Sequence, residues 1–386
     1  MNRTWLLLPV VLAGCGVLRS LAGRNTVDLE GADVRAMSVD IRKQDKTICP
    51  RERVQMAIFA DVVLAGDKQP KKLETWYGPG SRNGKMDFDA FAFHSEQGQF
   101  DAEGWFTPNS DVLATAGREF QLTTVYRRRP DKFSFDTSYK PDYRCIDHAG
   151  SAGASGNPGS AGADGTPGQE GRGGSTDSPG TEGGDGRSGG SGGDGGDGGA
   201  GPSLVAYATY VKTPFYDRLI AIRIEGNDAD FVLVHPEAGV TLVATGGDGG
   251  PGGAGGRGGD GGRGGSGNPA GNGGRGAAGG NGGNGGRGGA GGTIEVVLDE
   301  RFSDLSSAIH TDTSGGRGGL PGPAGPAGRA GRGGSGMNNA PSGADGGEGN
   351  EGQSGSRGSD GPNGSARVSS GSVAERFQGL SGITPL

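Results

Sequence analysis

Apolar residues along this chain are neither evenly spread nor helically spaced. Between residues 27 and 149 they come in short runs such as "RVQMAIFADVVLA", "KKLETWYG", "MDFDAFAFHS", "REFQLTTVYRRR" and "KFSFDTSY", separated by Gly, Pro and Asn. Short runs rich in Val, Phe, Tyr and Thr with turn residues between them predict an all-β sandwich, here expected to be Ig-like. Alternation is clearest where Phe120, Leu122, Thr124 and Tyr126 would share one face, opposite Glu119, Gln121, Thr123 and Val125. Farther on, "SLVAYATYVK", "RLIAIRIEG", "ADFVLVHP" and "GVTLVAT" predict four strands within 203–245, with turns at Gly226-Asn227-Asp228 and from Pro236 to Gly239. "TIEVVLDERFSDLSSAIHTDT", residues 293–313, predicts a strand and then one or two helical turns around Leu305 to Ile309. Residues 367–386 are weakly patterned and read as a flexible tail.

Between these runs apolar side chains nearly vanish and glycine takes over. The chain holds 88 Gly in 386 residues, far above the usual ~7% share, so these tracts cannot fold around an apolar core. Their glycine is placed, not merely abundant. It occupies every third position from Gly150 to Gly201 except Asp177, from Gly246 to Gly291 except Ala270, and from Gly316 to Gly364 except Met337 and Ala340. A strict period of three predicts a polyproline II helix, with one lengthwise edge bare so that another backbone can approach.

Each interruption sits mid-tract in turn chemistry: "STDSPG" at 175–180, "SGNPAGN" at 266–272 and "GMNNAPSG" at 336–343. Three tracts with one central turn each predict three hairpins, or six arms, each ~70 Å long for about 22 residues at ~3.1 Å rise. The arms at 180–202, 246–266 and 271–292 are mostly Gly-Gly-x and should lie centrally, because two bare edges admit more neighbours. The remaining side chains there, including Asp248, Arg257, Asp260, Arg263 and Arg287, should point to solvent. Order would come from N–H···O=C and Cα–H···O=C contacts between many backbones, against glycine's large ordering entropy.

Address and redox chemistry come from the cysteines. "MNRTWLLLPVVLAGC" has the layout of a secretory signal, with Arg3 ahead of an apolar run too short to span a bilayer. Its end, "LAGC" at 12–15, resembles the lipobox of bacterial lipoproteins. That resemblance implies cleavage before Cys15, acylation of Cys15 and, with Gly16 following, sorting to the outer membrane of a Gram-negative envelope; more than one acyl chain makes a stable anchor. Cys49 and Cys145 remain as an even pair in an oxidising compartment, which predicts a disulfide. Closing a loop of nearly a hundred residues, it would stabilise the fold by on the order of 4 kcal/mol.

Net charge is −7 with Arg and Asp interspersed, so nothing suggests a nucleic-acid partner. His94, His148, His235 and His310 are scattered away from any nucleophile or metal-ligand spacing, and no thiol nucleophile, Gly-x-Ser-x-Gly elbow or HExxH helix is present. The expectation is a non-enzyme with no cofactor and no metal site. "YRRRP" at 126–130 is an anionic-contact candidate whose ordinary reading is a solvated strand end.

"GGRGGAGGTIEVVLDERFSDLSSAIHTDTSGGRGG", residues 285–319, resembles the glycine-rich N-terminal domain of Obg-type GTPases. The resemblance covers about residues 200–366. It implies six polyproline-type arms on a small β platform and no GTPase, since "GPGSRNGKM" near Gly84 and Lys85 lacks the spacing and Ser/Thr of a phosphate loop. Two rival readings of the tracts are a homotrimeric collagen-like stalk, suggested by "GLPGPAGPAGRA" at 319–330, and disorder. A third, calcium-binding nonapeptide repeats, lacks the apolar residue that must close each repeat.

The expectation is therefore a mainly β protein: signal peptide 1–14, lipidated tether 15–26, disulfide-stapled sandwich 27–149, glycine-rich bundle 150–366 with strand segments 203–245 and 293–313, and tail 367–386. Its role would be a rigid spacer or adhesin-like surface prong, or alternatively glycan recognition by the β-sandwich with the bundle as its stalk. Its partners would be the membrane, through lipid on Cys15, and surface glycans or other envelope proteins, with a monomer favoured over a trimer. Candidate contact tips are Asp177, Asn268, Pro269, Ala270, Met337, Asn338, Asn339 and the adjoining Ala340.

Overall fold

A computed structural model describes residues 26–226 and 228–386. The expected signal peptide, Cys15 and the tether up to residue 25 lie outside the described residues, as does Asn227 of one expected turn. The chain is mainly β, with eighteen strands and only single turns of helix among the described residues. None of its sheets closes on itself.

The first nine strands are β1 (Asp33–Ile41), β2 (Thr47–Ile48), β3 (Val54–Val63), β4 (Lys71–Glu74), β5 (Phe91–His94), β6 (Gly98–Phe100), β7 (Trp105–Pro108), β8 (Phe120–Tyr126) and β9 (Ser134–Pro141). They form two sheets, one ordered β1-β3-β7-β6 with β4 on β3, the other β2-β9-β8-β5. β8 carries the expected alternation: Phe120, Leu122, Thr124 and Tyr126 are buried, whereas Gln121 is exposed and Thr123 and Val125 are half-buried. Residues of both sheets share an aromatic core, in which Phe106 of β7 meets Phe120 of β8 edge-on at 5.9 Å. Offset and edge-on ring pairs of this kind add to simple area burial.

The second half begins with β10 (His148–Ala152), β11 (Ser203–Lys212), β12 (Leu219–Gly226), β13 (Asp230–Val234) and β14 (Val240–Thr245). It ends with β15 (Thr293–Asp299), β16 (Ile309–Asp312), β17 (Ser365–Gly371) and β18 (Thr384–Pro385). β10-β14-β16 make a parallel sheet; β13-β12-β11-β15-β17, with β18 on β11, make the larger one. One core joins them, with Leu204, Ile222, Val232, Leu242 and Val296 all buried. Val112, Ala116, Tyr143 and Ile146 from the preceding region enter the same core, so the two halves are packed, not strung on a linker. Cys49 and Cys145 are disulfide-bonded, and Cys145 packs against that second core.

The helical turn expected around Leu305 to Ile309 is present as a single turn at Leu305–Ala308, and a strand follows it directly: Ile309 to Asp312 pair with Val240 to Val243. One expectation needs correction here. The tail is not a flexible end. Ser365–Gly371 is paired with β15 over seven residues, and Phe377 is fully buried in the platform core beside Val373 and Ile383. A lone aromatic in a polar stretch is enough to anchor it once a neighbouring strand supplies the ladder.

The three glycine tracts form six extended arms, numbered in chain order: arm 1 (153–174), arm 2 (180–201), arm 3 (246–267), arm 4 (271–292), arm 5 (315–336) and arm 6 (343–364). A cross-section near mid-length gives their order. Gly162 donates to Ala254 (2.8 Å), Gly190 to Ala163 (2.7 Å), Gly189 to Ala278 (2.9 Å), Gly256 to Gly190 (2.8 Å) and Gly255 to Pro323 (2.9 Å). Gly280 donates to Gly256 (2.8 Å), Gly279 to Asn350 (2.9 Å), Gly325 to Gly280 (2.9 Å) and Gly352 to Gly325 (3.0 Å). Each arm thus touches the arms one and two positions away in chain order, antiparallel to the first kind and parallel to the second.

Arms 3 and 4 have four neighbours, as their two bare edges predict. Arm 2 has three, however, and arm 5 matches it although its repeat is Gly-x-y. On the side of arm 5 that faces arm 6 the third positions are small apart from Pro321: Gly318 and Gly333 near the ends, with Ala324, Ala327 and Ala330 between them. Small side chains here serve nearly as well as bare backbone.

Candidate functional site: a registered array, its tips and an aromatic surface

The platform strands and the arms are one continuous ladder. Ala152 of β10 pairs with Thr245 of β14, and the next residue, Gly153, donates to Thr245 at 2.8 Å. On the other layer Gly201 donates to Ala290 at 2.8 Å just before Ser203 pairs with Thr293. Likewise Gly291 donates to Pro362 at 2.9 Å before Thr293 pairs with Ser365. β10, β14 and β16 therefore launch arms 1, 3 and 5, and arms 2, 4 and 6 return into β11, β15 and β17. Apolar strand pairing sets the register that the arms, with no core of their own, then hold.

Side chains reinforce that register. Asp248 and Asp260 of arm 3 accept the backbone N–H of Arg317 (2.7 Å) and Arg329 (2.8 Å) on arm 5. Asp185 and Asp197 of arm 2 accept those of Arg275 and Arg287 on arm 4, each at 2.7 Å. The bond from Arg329 holds the Asp260 carboxyl below the usual carboxylate range. Asp248 is exposed as expected and Asp260 half-buried, and both also reach across to donors left free on the next parallel arm. Arg257, Arg263 and Arg287 are exposed as expected.

At the far end the three turns lie side by side. Ser175 and Ser178 close the first turn by reciprocal backbone bonds of 3.2 and 3.3 Å, leaving Asp177 exposed. Asn268 ties the second turn to the first, its N–H donating to Ser178 O and its Nδ2 to Thr176 O, both at 3.0 Å. Met337 N–H donates to Gly267 O at 3.0 Å, which ties the third turn to the second. Asn338 and Asn339 hold φ of 50° and 62°, the left-handed region that Asn tolerates best among side-chain-bearing residues. Asp177, Pro269, Met337, Asn338 and Asn339 are thus presented together on one exposed end, with Asn268 and Ala270 half-buried between the turns.

No family model, no curated protein and no solved structure matches the chain. The chemistry must be read from the side chains alone. Among the described residues no group of three or more His, Cys, Asp or Glu side chains is placed to hold a metal ion, and no helix is long and apolar enough to cross a membrane. Of the "YRRRP" segment, Tyr126 is buried, Arg127 Nε donates to Phe91 O at 2.7 Å, and Arg128 lies 3.4 Å from both Asp28 and Glu30.

Sequence reading missed a surface on the first sheet pair. Phe59 and Tyr77 are 41% and 57% exposed, the largest aromatic exposures among the described residues. Arg42 lies between them, its guanidinium carbon 5.5 Å from the Phe59 ring centre and 6.0 Å from that of Tyr77. Tyr77 is 6.4 Å from Trp105, and Arg53 covers Trp105 at 4.4 Å. Rings and guanidinium groups form one row, Phe59, Arg42, Tyr77, Trp105, Arg53.

The row is held from beneath. Gln55, 1% exposed, donates through Nε2 to Glu103 O (2.9 Å) and accepts from Gly78 N–H (2.8 Å), clamping the segments that carry Trp105 and Tyr77. Arg42 donates to Glu74 at 3.1 Å and to the Thr75 carbonyl. Hydrogen bonds from Lys85 and then Arg42 hold the Glu74 carboxyl below its usual range, so the Arg42 charge is matched locally. Arg53 has no carboxylate partner among the described residues. The row's members are scattered from 42 to 105 in the sequence, and the only signal that could have found them was a set of large rings, Phe59 and Trp105 on strands and Tyr77 in a loop.

Proposed function

We propose that this is a non-enzymatic, lipid-anchored cell-envelope protein whose glycine-rich half is a rigid structural spacer or surface prong. The reading takes the six arms as polyproline/polyglycine II hairpins on a β platform, the plan implied by the resemblance to Obg-type domains. It takes residues 27–149 as an Ig-like sandwich nearest the membrane and Cys15 as the acylated N-terminus. The single observation that carries it is the unbroken hydrogen-bond register running from β10, β14 and β16 along the arms to the joined turns at 175–178, 267–270 and 336–340. An array locked at every third residue transmits the position of its base to its tip and displays Asp177, Asn268 to Ala270 and Met337 to Ala340 about 70 Å away at ~3.1 Å rise per residue. A catalytic scaffold would converge titratable groups in a cleft, whereas this one spends its length on separation.

Light scattering and small-angle scattering on the purified full chain test the spacer reading. A monomer with one dimension near the arm length is expected. A trimer that dissociates in one cooperative thermal step would replace it with a collagen-like stalk. The anchor is tested by mass spectrometry of the N-terminal peptide from membranes: acylated Cys15 is expected, and an unmodified or absent Cys15 in membrane-bound protein would end that part of the reading.

A further inference from the structure

We infer that the row Phe59, Arg42, Tyr77, Trp105, Arg53 binds the pyranose rings of an acidic polysaccharide. The exposed rings, Phe59 on β3 and Tyr77 in the loop after β4, offer flat apolar surfaces to the C–H faces of sugars, and the aromatic side chains lose little conformational entropy on contact. Guanidinium groups between them offer planar forks matched to carboxylates. The two arginines are not equivalent. Arg42 is committed to Glu74 and the Thr75 carbonyl and serves to hold the Phe59 and Tyr77 rings. Arg53, without a carboxylate of its own among the described residues, is the cation left for a ligand.

The space beside Arg53 agrees with that assignment. A cleft of about 100 Å³ lies among Arg42, Lys43, Glu52, Arg53, Tyr77 and Trp105. At ~30 Å³ per water it accepts a carboxylate but not a whole sugar ring, so the ring must lie on the row outside while its acidic group enters. Lys43 lies 3.8 Å from Asp142 and 3.9 Å from Asp45, so Arg53 is the cation left to meet an acidic group, with Glu52 beside it as an acceptor for sugar hydroxyls. A protein partner fits less well. A stable interface needs ~800 Å² per side with an apolar centre, and a single row of rings broken by charges offers none. The clamp through buried Gln55 means that the surface is already formed before any ligand arrives.

The test uses the purified full chain, titrated by calorimetry with a hexamer of polygalacturonate and, separately, with cellohexaose as the neutral counterpart. Binding of the uronate hexamer is expected, weakening as salt is raised and falling about tenfold in each of Tyr77→Ala and Arg53→Gln, the size expected for loss of one desolvated ring or cation contact. Both residues lie at the surface, and matching circular dichroism and melting temperature establish that the variants fold. Failure of the folded chain to bind either hexamer overturns the proposal, as does binding that neither substitution changes. Equal affinity for cellohexaose overturns the assignment of an acidic ligand. None of these outcomes bears on whether the glycine array is a rigid monomer, which light scattering decides separately.

Discussion

The two halves of this molecule solve the same problem with opposite materials. Around Phe106 and Phe120 the chain is held by large rings that fill space between sheets. Around Gly283 it is held by backbones packed so closely that a Cβ there would sit 1.9 Å from the Gly193 carbonyl oxygen. In the first region side chains make the contacts and the backbone follows; in the second the absence of side chains lets the backbones meet. The difference shows that order requires only that many weak contacts be made at once and in register, whichever atoms supply them.

That contrast can be strained from both sides. Phe106→Ala should be the most damaging single change, destabilising the chain by about 4 kcal/mol in denaturant unfolding through the cavity it leaves. Gly283→Ala adds a single carbon where the first change removes a whole ring, yet it should cost about 3 kcal/mol, because the atom it meets is backbone that cannot turn aside. A loss below about half a kcal/mol at Gly283 would mean that the arms are not close-packed and the contrast fails. Asp299, buried where β15 ends, takes hydrogen bonds from Arg301 (2.7 Å) and Thr209 (2.6 Å). The Arg301 bond is the main reason its carboxyl lies below the ordinary range. Its folded-state pKa is depressed, so its contribution is complete above ~3.9, the unfolded value, and is lost as pH falls through the lower folded value. Asp299→Asn should accordingly cost about 2 kcal/mol at pH 7, the penalty for leaving buried partners poorly matched, and the gap to the parent should close in acid. The smallest expected effect has the opposite sign. Gly347 on arm 6 is off the packed edge, and a Cβ there would meet only Arg275 Nε, at 3.7 Å. Gly347→Ala should raise stability by about 0.5 kcal/mol by reducing the freedom of the unfolded chain.

Much of the plan was legible because glycine spacing is an unusually direct signal. Period three marked out the arms, the breaks at Asp177, Ala270 and Met337 marked the turns, and "SLVAYATYVK" matches β11 to the residue. What was hidden depends on partners remote in sequence. Ser365–Gly371 has one large apolar residue, Val368, which is exposed, and it is a strand only because β15 offers its edge. Asp248 and Asp260 look like solvated charges until arm 5 is set beside arm 3. The aromatic row draws on β3, β7 and three loops, so no window of the sequence contains it. The central placing expected of Gly-Gly-x arms holds for arms 3 and 4 and fails to anticipate arm 5, because counting bare glycine edges undervalues Ala324, Ala327 and Ala330.

A glycine array also has a thermal character of its own. Apolar burial gives unfolding its large heat capacity, ~12–15 cal/mol/K per residue in ordinary domains, and exposed peptide groups act in the opposite sense. Arms that bury peptide against peptide therefore bend the stability curve very little, while the sheets beneath them, with their rings, bend it as usual. Cooling weakens the base before it weakens the stalk. In a spacer of the kind proposed, which would meet whatever temperature surrounds it, the reach from base to tip is then set by geometry alone for as long as the platform holds its register.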